Sequence, residues 1–594
     1  MHAAGEKSGG RPRAARRPTP TAEHSDKLTD VPPSLEATMP NDSTPEILDR
    51  LLSRRCSKDP VEAVEHMLKT GGWRLPDGSG FNLSEDWGSA PNLPRSVQRL
   101  LHSHGFVVDI AAAHQVAPNP ESLRLAIRVI ERWRAECTLH DRKGNMAFHD
   151  ECVARRLTSW QVLQMVMARE GMTQEAEKVL AWVKEEFGLL ARADFHAGNN
   201  NHGMFQDLAL VYYCLGYPDD TRSSAVSREA LSRLRSYFYS SVSDDGVHRE
   251  HSPAYHFLIA SVIRSHLPMV RALDPEFEAG LRELLERMST FAINIVTPDR
   301  RLPPIGDTVA YPLPKSYYDV FDIGERPVQP SAAFLKGGYA VLRANPGAGR
   351  NEMYAVVCAS DHGVYHKHQD DLSVILHFNR WILIEAGPYG YDYAHPLSIH
   401  GYSSAAHNCV VHDGQPLLRS NTPYVPGRVY LADFADNGAS VMVEGVSSKA
   451  AGSVHRRRVI LHRDSRRLEI EDSLENTAPR THLALWHLGP TVEPRVDGLE
   501  VELTAKSTGL GSIRFESDSP LELLVSRGDG PGVMKGVIFP RMGQVTDTFV
   551  LGCQTPVPVE RWRVTTTIEL TDQPDRRQST SAAKKKPKGK AHSE

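Results

Sequence analysis

From about residue 44 to residue 297, apolar side chains recur with a helical period. Over 121–137, Leu123, Ile127, Ile130 and Arg134 share one face, and Leu125, Val129 and Trp133 widen the apolar stripe. Pro118, Asn119 and Pro120 ahead of them form a start signal. The same spacing predicts helices over 154–168, 173–187, 205–215, 228–241, 254–270 and 276–295. Their lengths suit an array of helical hairpins or a toroid, with no repeat of fixed period.

The pattern breaks around 312–333, where prolines and aromatics cluster. From residue 338 short β runs follow one another between turn signals. They fall at 354–359, 372–378, 381–385, 409–412, 428–432, 441–444, 457–462, 467–471 and 561–569. In 467–471, Leu468 and Ile470 face one way. Many short strands with no helices between them predict a stacked antiparallel β-sandwich. The fold class expected is therefore an α+β, multidomain chain: a helical toroid over 44–325, then a β-sandwich over 335–572. Residues 1–43 and the basic tail 573–594 read as disordered segments.

Bulk composition narrows the function only a little. The 594 residues are 40% hydrophobic and 24% charged, ordinary for a soluble protein. With 69 basic and 73 acidic residues the net charge is −4, which carries no nucleic-acid signature. A local basic cleft would still suffice to hold an acidic glycan. The seven cysteines are scattered, with no C-x-x-C pair, and read as buried free thiols. No apolar run reaches the length of a membrane span. The basic start lacks the apolar core of a secretory signal, so a cytoplasmic location is favoured. A periplasmic or secreted protein would need a different start or export route.

Three constellations carry chemistry. The first is Asn199-Asn200-Asn201-His202-Gly203, which reads equally well as a capped loop or as an amide and an imidazole projecting into a cleft. The second is His251-Ser252-Pro253-Ala254-Tyr255-His256, with Tyr255 opening a helix. A tyrosine there usually packs; it becomes an acid or base if His248, Arg249, His251 and His256 surround it with positive charge. The third and densest is 360–371, where His366 and His368 on extended backbone would face the same side. A His-x-His alone is more often a polar sheet edge. With Glu385 and His407 on neighbouring strands, a metal set becomes the better reading. Carboxylate pairs such as Asp370/Asp371 and Asp244/Asp245 leave glycoside hydrolysis open. A G-x-S-x-G elbow and a phosphate-binding G-x-x-x-x-G-K-[ST] loop are both missing.

Taken in order, NNNHGMFQDLAL, REHSPAYHF, PPIGDT at 303–308, HKHQDDLSVILHFNRWILIEAGPYGYDY and SSAAHNCVVHDGQ resemble the heparinase II/III-like polysaccharide lyases. The likeness runs from about residue 90 to 490 and is most specific over 366–387. It implies an (α/α) toroid, a β-sandwich, and between them a cleft for a chain containing uronic acid. It also implies roles. Asn201 and His366 would neutralise the uronate carboxylate, and His202 and Tyr255 would handle the C5 proton and the leaving oxygen. Either Tyr393 or Tyr402 would assist. His368, Glu385 and His407 would match a structural divalent metal site, zinc being the expected ion. The family has Asp where this chain has Glu385, after a hairpin one residue longer.

The expected reaction is β-elimination on an acidic poly- or oligosaccharide, with alginate, glycosaminoglycans and bacterial capsular uronates all as candidates. Either Tyr255 or His202 would abstract the proton. The rivals are a uronate C5-epimerase, a toroidal glycoside hydrolase, and a non-catalytic glycan-binding or assembly protein on the same fold. Neither a nucleic-acid partner nor a membrane span is expected, and a homodimer is compatible with the sequence.

Overall fold

The computed structural model describes residues 44–571 apart from 76–77, 79, 84–86, 88–92, 94, 138–145, 311, 325–329 and 420–423. The expectations for 1–43 and 573–594 lie outside the described residues.

The first half is built of helical hairpins. Gly105–Val116 packs on Pro120–Glu136, Asp150–Arg169 on Thr173–Leu190, Asn201–Gly216 on Ser223–Ser240, and Pro253–Leu273 on Pro275–Ile295. The first member of each of the first three pairs lies inside: Asp150–Arg169 touches both Gly105–Val116 and Asn201–Gly216. These inner helices are buried on nearly all sides. Their partners show the apolar stripe of an outer layer; in Pro120–Glu136 the buried set includes Leu123, Ile127, Ile130 and Trp133. The helix Gly105–Val116 gives no periodic signal because Phe106 through Ala113 are all buried. Caps set the starts. Asn119 accepts from the N–H groups of Glu121 and Ser122, and Asp274 from that of Phe277, each with proline at the first helical position.

A short antiparallel pair, Gly72–Arg74 with Gly80–Asn82, lies within the helical half, and the sheet half begins at Ala332–Phe334. An eight-stranded antiparallel sheet runs from Glu493–Asp497 at one edge, through Val559–Leu570, Arg467–Arg480 and Ser453–His462, to Val429–Asp436 at the other. A five-stranded sheet from Ala332–Phe334 to Trp381–Leu383 shares one apolar core with it. So does a four-stranded sheet from Glu522–Arg527 to Val410–His412. A bridge between Leu383 and Leu488 joins the two smaller sheets into one layer. Leu468 and Ile470 point into that core beside Leu461, Trp486 and Trp562. Burying each such side chain contributes roughly 1.5–3 kcal/mol. The chain is thus a helical toroid followed by a β-sandwich.

The last long helix ties the halves together. The final carbonyls of a helix have no partner within it. Here Arg343 donates to the carbonyls of Asn294 and Val296, both at 2.8 Å, and the Tyr354 hydroxyl to that of Ile295 at 2.6 Å. A guanidinium at that end also complements the helix dipole. All seven cysteines are free, six of them buried. Among the described residues no helix is long and apolar enough to cross a membrane.

Candidate active site

Two backbone segments meet where the helical and sheet halves touch. His251 has a left-handed backbone, φ 58°. Its Nδ1–H donates to the carbonyl of Tyr365 at 2.9 Å, and its Nε2 accepts the N–H of His362 at 2.8 Å. Using both ring nitrogens in this way requires the neutral imidazole. Burial agrees, holding this histidine well below its usual range. Behind it, Gly306 (φ 54°) leaves room for two histidine backbones. A Cβ there would lie 2.2 Å from the oxygen of His251 and 3.0 Å from that of His366.

The next residue, Asp307, is the hub. Its Oδ2 accepts from His366 Nδ1 at 2.6 Å; its Oδ1 accepts from His368 Nε2 at 3.0 Å and from the Tyr402 hydroxyl at 2.6 Å. Burial pushes this carboxyl upward, but the hydrogen bonds from His366 and His368 outweigh it and keep Asp307 ionised. His366 and His368 do share a target, but not on extended backbone. Residues 361–371 form a loop, and His366 itself is left-handed, φ 55°. Strain of this kind, about 1–3 kcal/mol, persists only where surrounding contacts dictate the conformation.

On the open side of His366 lies Tyr255, its ring stacked at 3.6 Å between centroids and tilted 24°. The Thr308 hydroxyl, 2.7 Å from Ser252 Oγ, accepts from the N–H of Ala254 and so fixes the start of the Tyr255 helix. Burial raises the Tyr255 hydroxyl to about 12. Of the cationic surroundings expected for it, the histidines drop out, because burial keeps His248 and His251 well below their usual range and takes His256 down to about 3, while Arg249 turns to the Ser240 carbonyl. Glu250 completes this corner, with Oε2 3.4 Å from His366 Nε2.

From the neighbouring hairpin come the asparagines. Asn199 donates to Ser240 Oγ, and Asn200 is the helix cap, accepting from the N–H groups of His202 and Gly203. Asn201 is half-buried, and among the described residues no hydrogen bond ties its side chain down. Gly203 is required, since a Cβ would fall 2.0 Å from the Gly198 oxygen. His202 Nδ1–H donates to Asp150 Oδ1 at 2.9 Å, leaving Nε2 for another partner. The Asp150 hydrogen bond raises the His202 pKa. Among the described residues, His149, Asp150 and His202 form a group of three donors whose ligand atoms lie within 4.8 Å of one another. Both histidines approach the same oxygen, at 2.8 and 2.9 Å, which is hydrogen-bond spacing. Metal ligands held at about 2.0–2.1 Å would stand farther apart.

The predicted metal residues lie near one another deeper in the sheet half, but their donor atoms are not gathered within 4.8 Å as those of His149, Asp150 and His202 are. The rings of His368 and His407 are 5.3 Å apart, and His407 Nδ1 is 3.0 Å from Glu385 Oε2. His368 Nδ1, His407 Nε2 and both Glu385 oxygens are buried without a formed hydrogen bond. Two imidazoles and a carboxylate are donor types that a divalent cation takes, while the 3.0 Å between His407 Nδ1 and Glu385 Oε2 is itself hydrogen-bond spacing.

The two β-domain tyrosines touch edge-on, ring centres 5.2 Å apart, but differ in exposure. Tyr402 is buried on Asp307, whereas Tyr393 is exposed beneath the Arg419 guanidinium, 3.9 Å from its ring centre. A tyrosine not singled out, Tyr391, comes closest to Tyr255, hydroxyl to hydroxyl at 3.4 Å. Asp307, Asp150 and Glu250 were also missed as site residues. Asp307 lies in the PPIGDT run and Glu250 in REHSPAYHF, but a carboxylate's partners across the fold leave no local spacing to read.

Comparison with known proteins follows the same division of the chain. The heparinase II/III N-terminus family matches residues 78–322, and the heparinase II/III-like C-terminal family matches 326–567. A crystal structure of a heparinase III superposes with TM-score 0.71 at 16% identity, covering 90% of this chain and 87% of that one. A heparan sulfate lyase from Pedobacter heparinus gives 0.62 at 16%, covering 88% and 85%. A Streptomyces coelicolor A3 chondroitin AC lyase in complex with chondroitin sulphate gives 0.50 at 11%, covering 91% and 84%. No protein of curated function matches in sequence.

Proposed function

The chain belongs to the heparinase II/III family, and on that premise we propose that it is a polysaccharide lyase cleaving chains that contain uronic acid by β-elimination. The observation that carries this reading is the stack of Tyr255 on His366, which sets a phenol from one half against an imidazole from the other. Glycosaminoglycans are the favoured substrate class, in keeping with the fold neighbours that act on heparan sulfate and chondroitin sulphate.

The C5 hydrogen of a uronate is weakly acidic, and its removal loads charge onto a carboxylate that is already negative. The site must therefore neutralise that carboxylate and stabilise the enolate-like state. The Asn201 amide and the Asp307-held His366 serve that purpose. His202, oriented by Asp150 through Nδ1, presents Nε2 to the C5 proton. Tyr255 carries its proton at neutral pH and delivers it to the departing O4. Tyr391, beside it, supports that hydroxyl. The exposed rings of Tyr391 and Tyr393 offer faces on which pyranose rings can stack. His368, Glu385 and His407 would hold a divalent cation, whose charge would brace the histidine-bearing loop rather than activate water.

The test is to incubate the protein with a panel of uronate polymers and follow the ultraviolet absorbance of the conjugated double bond. Its appearance with chain cleavage supports the lyase. New reducing ends without absorbance would establish a hydrolase, and C5 inversion without cleavage an epimerase.

A further inference from the structure

Glu250 is an acidic side chain in a site that must receive an acidic substrate. An ionised carboxylate there would oppose a uronate, next to an Asp307 that already bears a charge. The structure surrounds it in a way that resolves the conflict. Its side chain is 10% exposed, and Oε2 is buried and has no formed hydrogen bond. That oxygen points at His366 Nε2 from 3.4 Å, while the other nitrogen of His366 is spent on Asp307. An unsatisfied buried carboxylate oxygen costs several kcal/mol if charged and much less if it carries a proton.

Resting on the lyase reading above, we propose that Glu250 binds the substrate as a neutral carboxylic acid, donating a hydrogen bond to the uronate carboxylate that Asn201 and His366 also receive. The titratable groups around it are His366 from the 361–371 loop, His202 from the neighbouring helix start, Tyr237 from Ser223–Ser240 and Tyr255 from its own side, with Asp307 behind His366. Burial raises the Glu250 carboxyl, and the nearby His366 and His202 only partly counter it. An incoming anion raises it further, so substrate binding above the free-enzyme pKa draws a proton from solution. The arrangement favours an anionic sugar over a neutral one, because only a carboxylate both accepts the hydrogen bond and stabilises the proton that makes it.

The experiment compares wild type, Glu250→Gln and Glu250→Ala on heparan sulfate and chondroitin sulphate oligosaccharides between pH 5 and 9. Elimination is followed by absorbance, and proton uptake on binding by calorimetry in two buffers of different ionisation enthalpy. Glutamine keeps a neutral donor in the same volume. It is expected to stay within about 5-fold of wild type in kcat/KM, to lose the alkaline decline due to Glu250, and to abolish its share of proton uptake. Alanine is expected to lose about 100-fold. If Glu250→Gln falls as far as Glu250→Ala while melting like wild type, the ionised carboxylate is what matters and the inference is wrong. If Glu250→Ala keeps full activity, Glu250 does not touch the substrate. Wild type inactive on every uronate polymer would overturn the lyase reading itself, a result distinct from either variant's failure.

Discussion

The Tyr255 ring stacks on the imidazole of His366, the centroids 3.6 Å apart, although one residue lies in the first turn of a helix and the other in the middle of a loop between strands. Removing only the hydroxyl should leave this stack intact. Tyr255→Phe is therefore expected to fold and melt like wild type yet lose about 10²- to 10⁴-fold in kcat, read by the absorbance assay. A variant retaining near-full turnover would remove Tyr255 from the proton chemistry.

Asp307 should be indispensable without touching substrate. Asn keeps one acceptor oxygen but sets an NH2 donor where the other accepts, and it has no charge with which to serve two imidazoles and a phenol. Asp307→Asn is expected to lower kcat by about 100-fold and to destabilise the fold by roughly 3–5 kcal/mol, measured by denaturant titration. An unchanged unfolding midpoint would show that the three donors find other partners.

The acid limb of the pH profile should belong to His202. Its pKa is raised, with the Asp150 hydrogen bond as the largest cause. The imidazole must be neutral to accept the C5 proton, so activity should rise only as pH climbs above the ordinary histidine value of about 6.5. Asp150→Asn removes the raising partner. The limb should then move to lower pH while the maximal rate falls, as a pH series of kcat/KM would reveal. A limb that does not move would assign it elsewhere.

A separate acid sensitivity sits in the sandwich. Arg457 grips buried Asp472 at 2.7 and 3.0 Å, and His455 reaches it at 2.6 Å. Burial pushes that carboxyl up, but Arg457 and His455 bring it down to about 2. A depressed carboxylate contributes stability that is full above its unfolded value of about 3.9 and is lost as pH falls through about 2; here that is about 3 kcal/mol. Melts between pH 2 and 5 should show this loss in wild type and not in Asp472→Asn. Parallel curves would refute it.

Metal analysis tests the His368, Glu385 and His407 cluster. The purified protein is expected to carry close to one divalent ion per chain. Removing it with a chelator should lower Tm and slow turnover, with His407→Ala insensitive to the chelator. Consistently metal-free protein would leave the cluster as a buried polar network.

Much of the architecture was legible because periodicity reports burial. The stripe on 121–137 and the alternation of Leu468 and Ile470 each mark a face that is covered. Gly105–Val116 was silent because it is covered all round. Candidate site residues stood out wherever a motif is local, as with Asn201-His202 and His366-Lys367-His368. It was not where chemistry depends on distant contacts. Neither the neutrality of His251 nor the hub at Asp307 leaves a trace in spacing, and the nearness of Tyr391 to Tyr255 turns on the path of one loop.

The position of Asp307 also bears on recombination. It belongs to the segment after the last long helix of the toroid, yet all three of its donors come from the sheet half. A chimera joining the toroid of one relative to the sandwich of another could inherit every tyrosine and histidine of both parents and still be inert. Its crossover would have to fall ahead of residue 303, so that the clamp travels with the loop it holds.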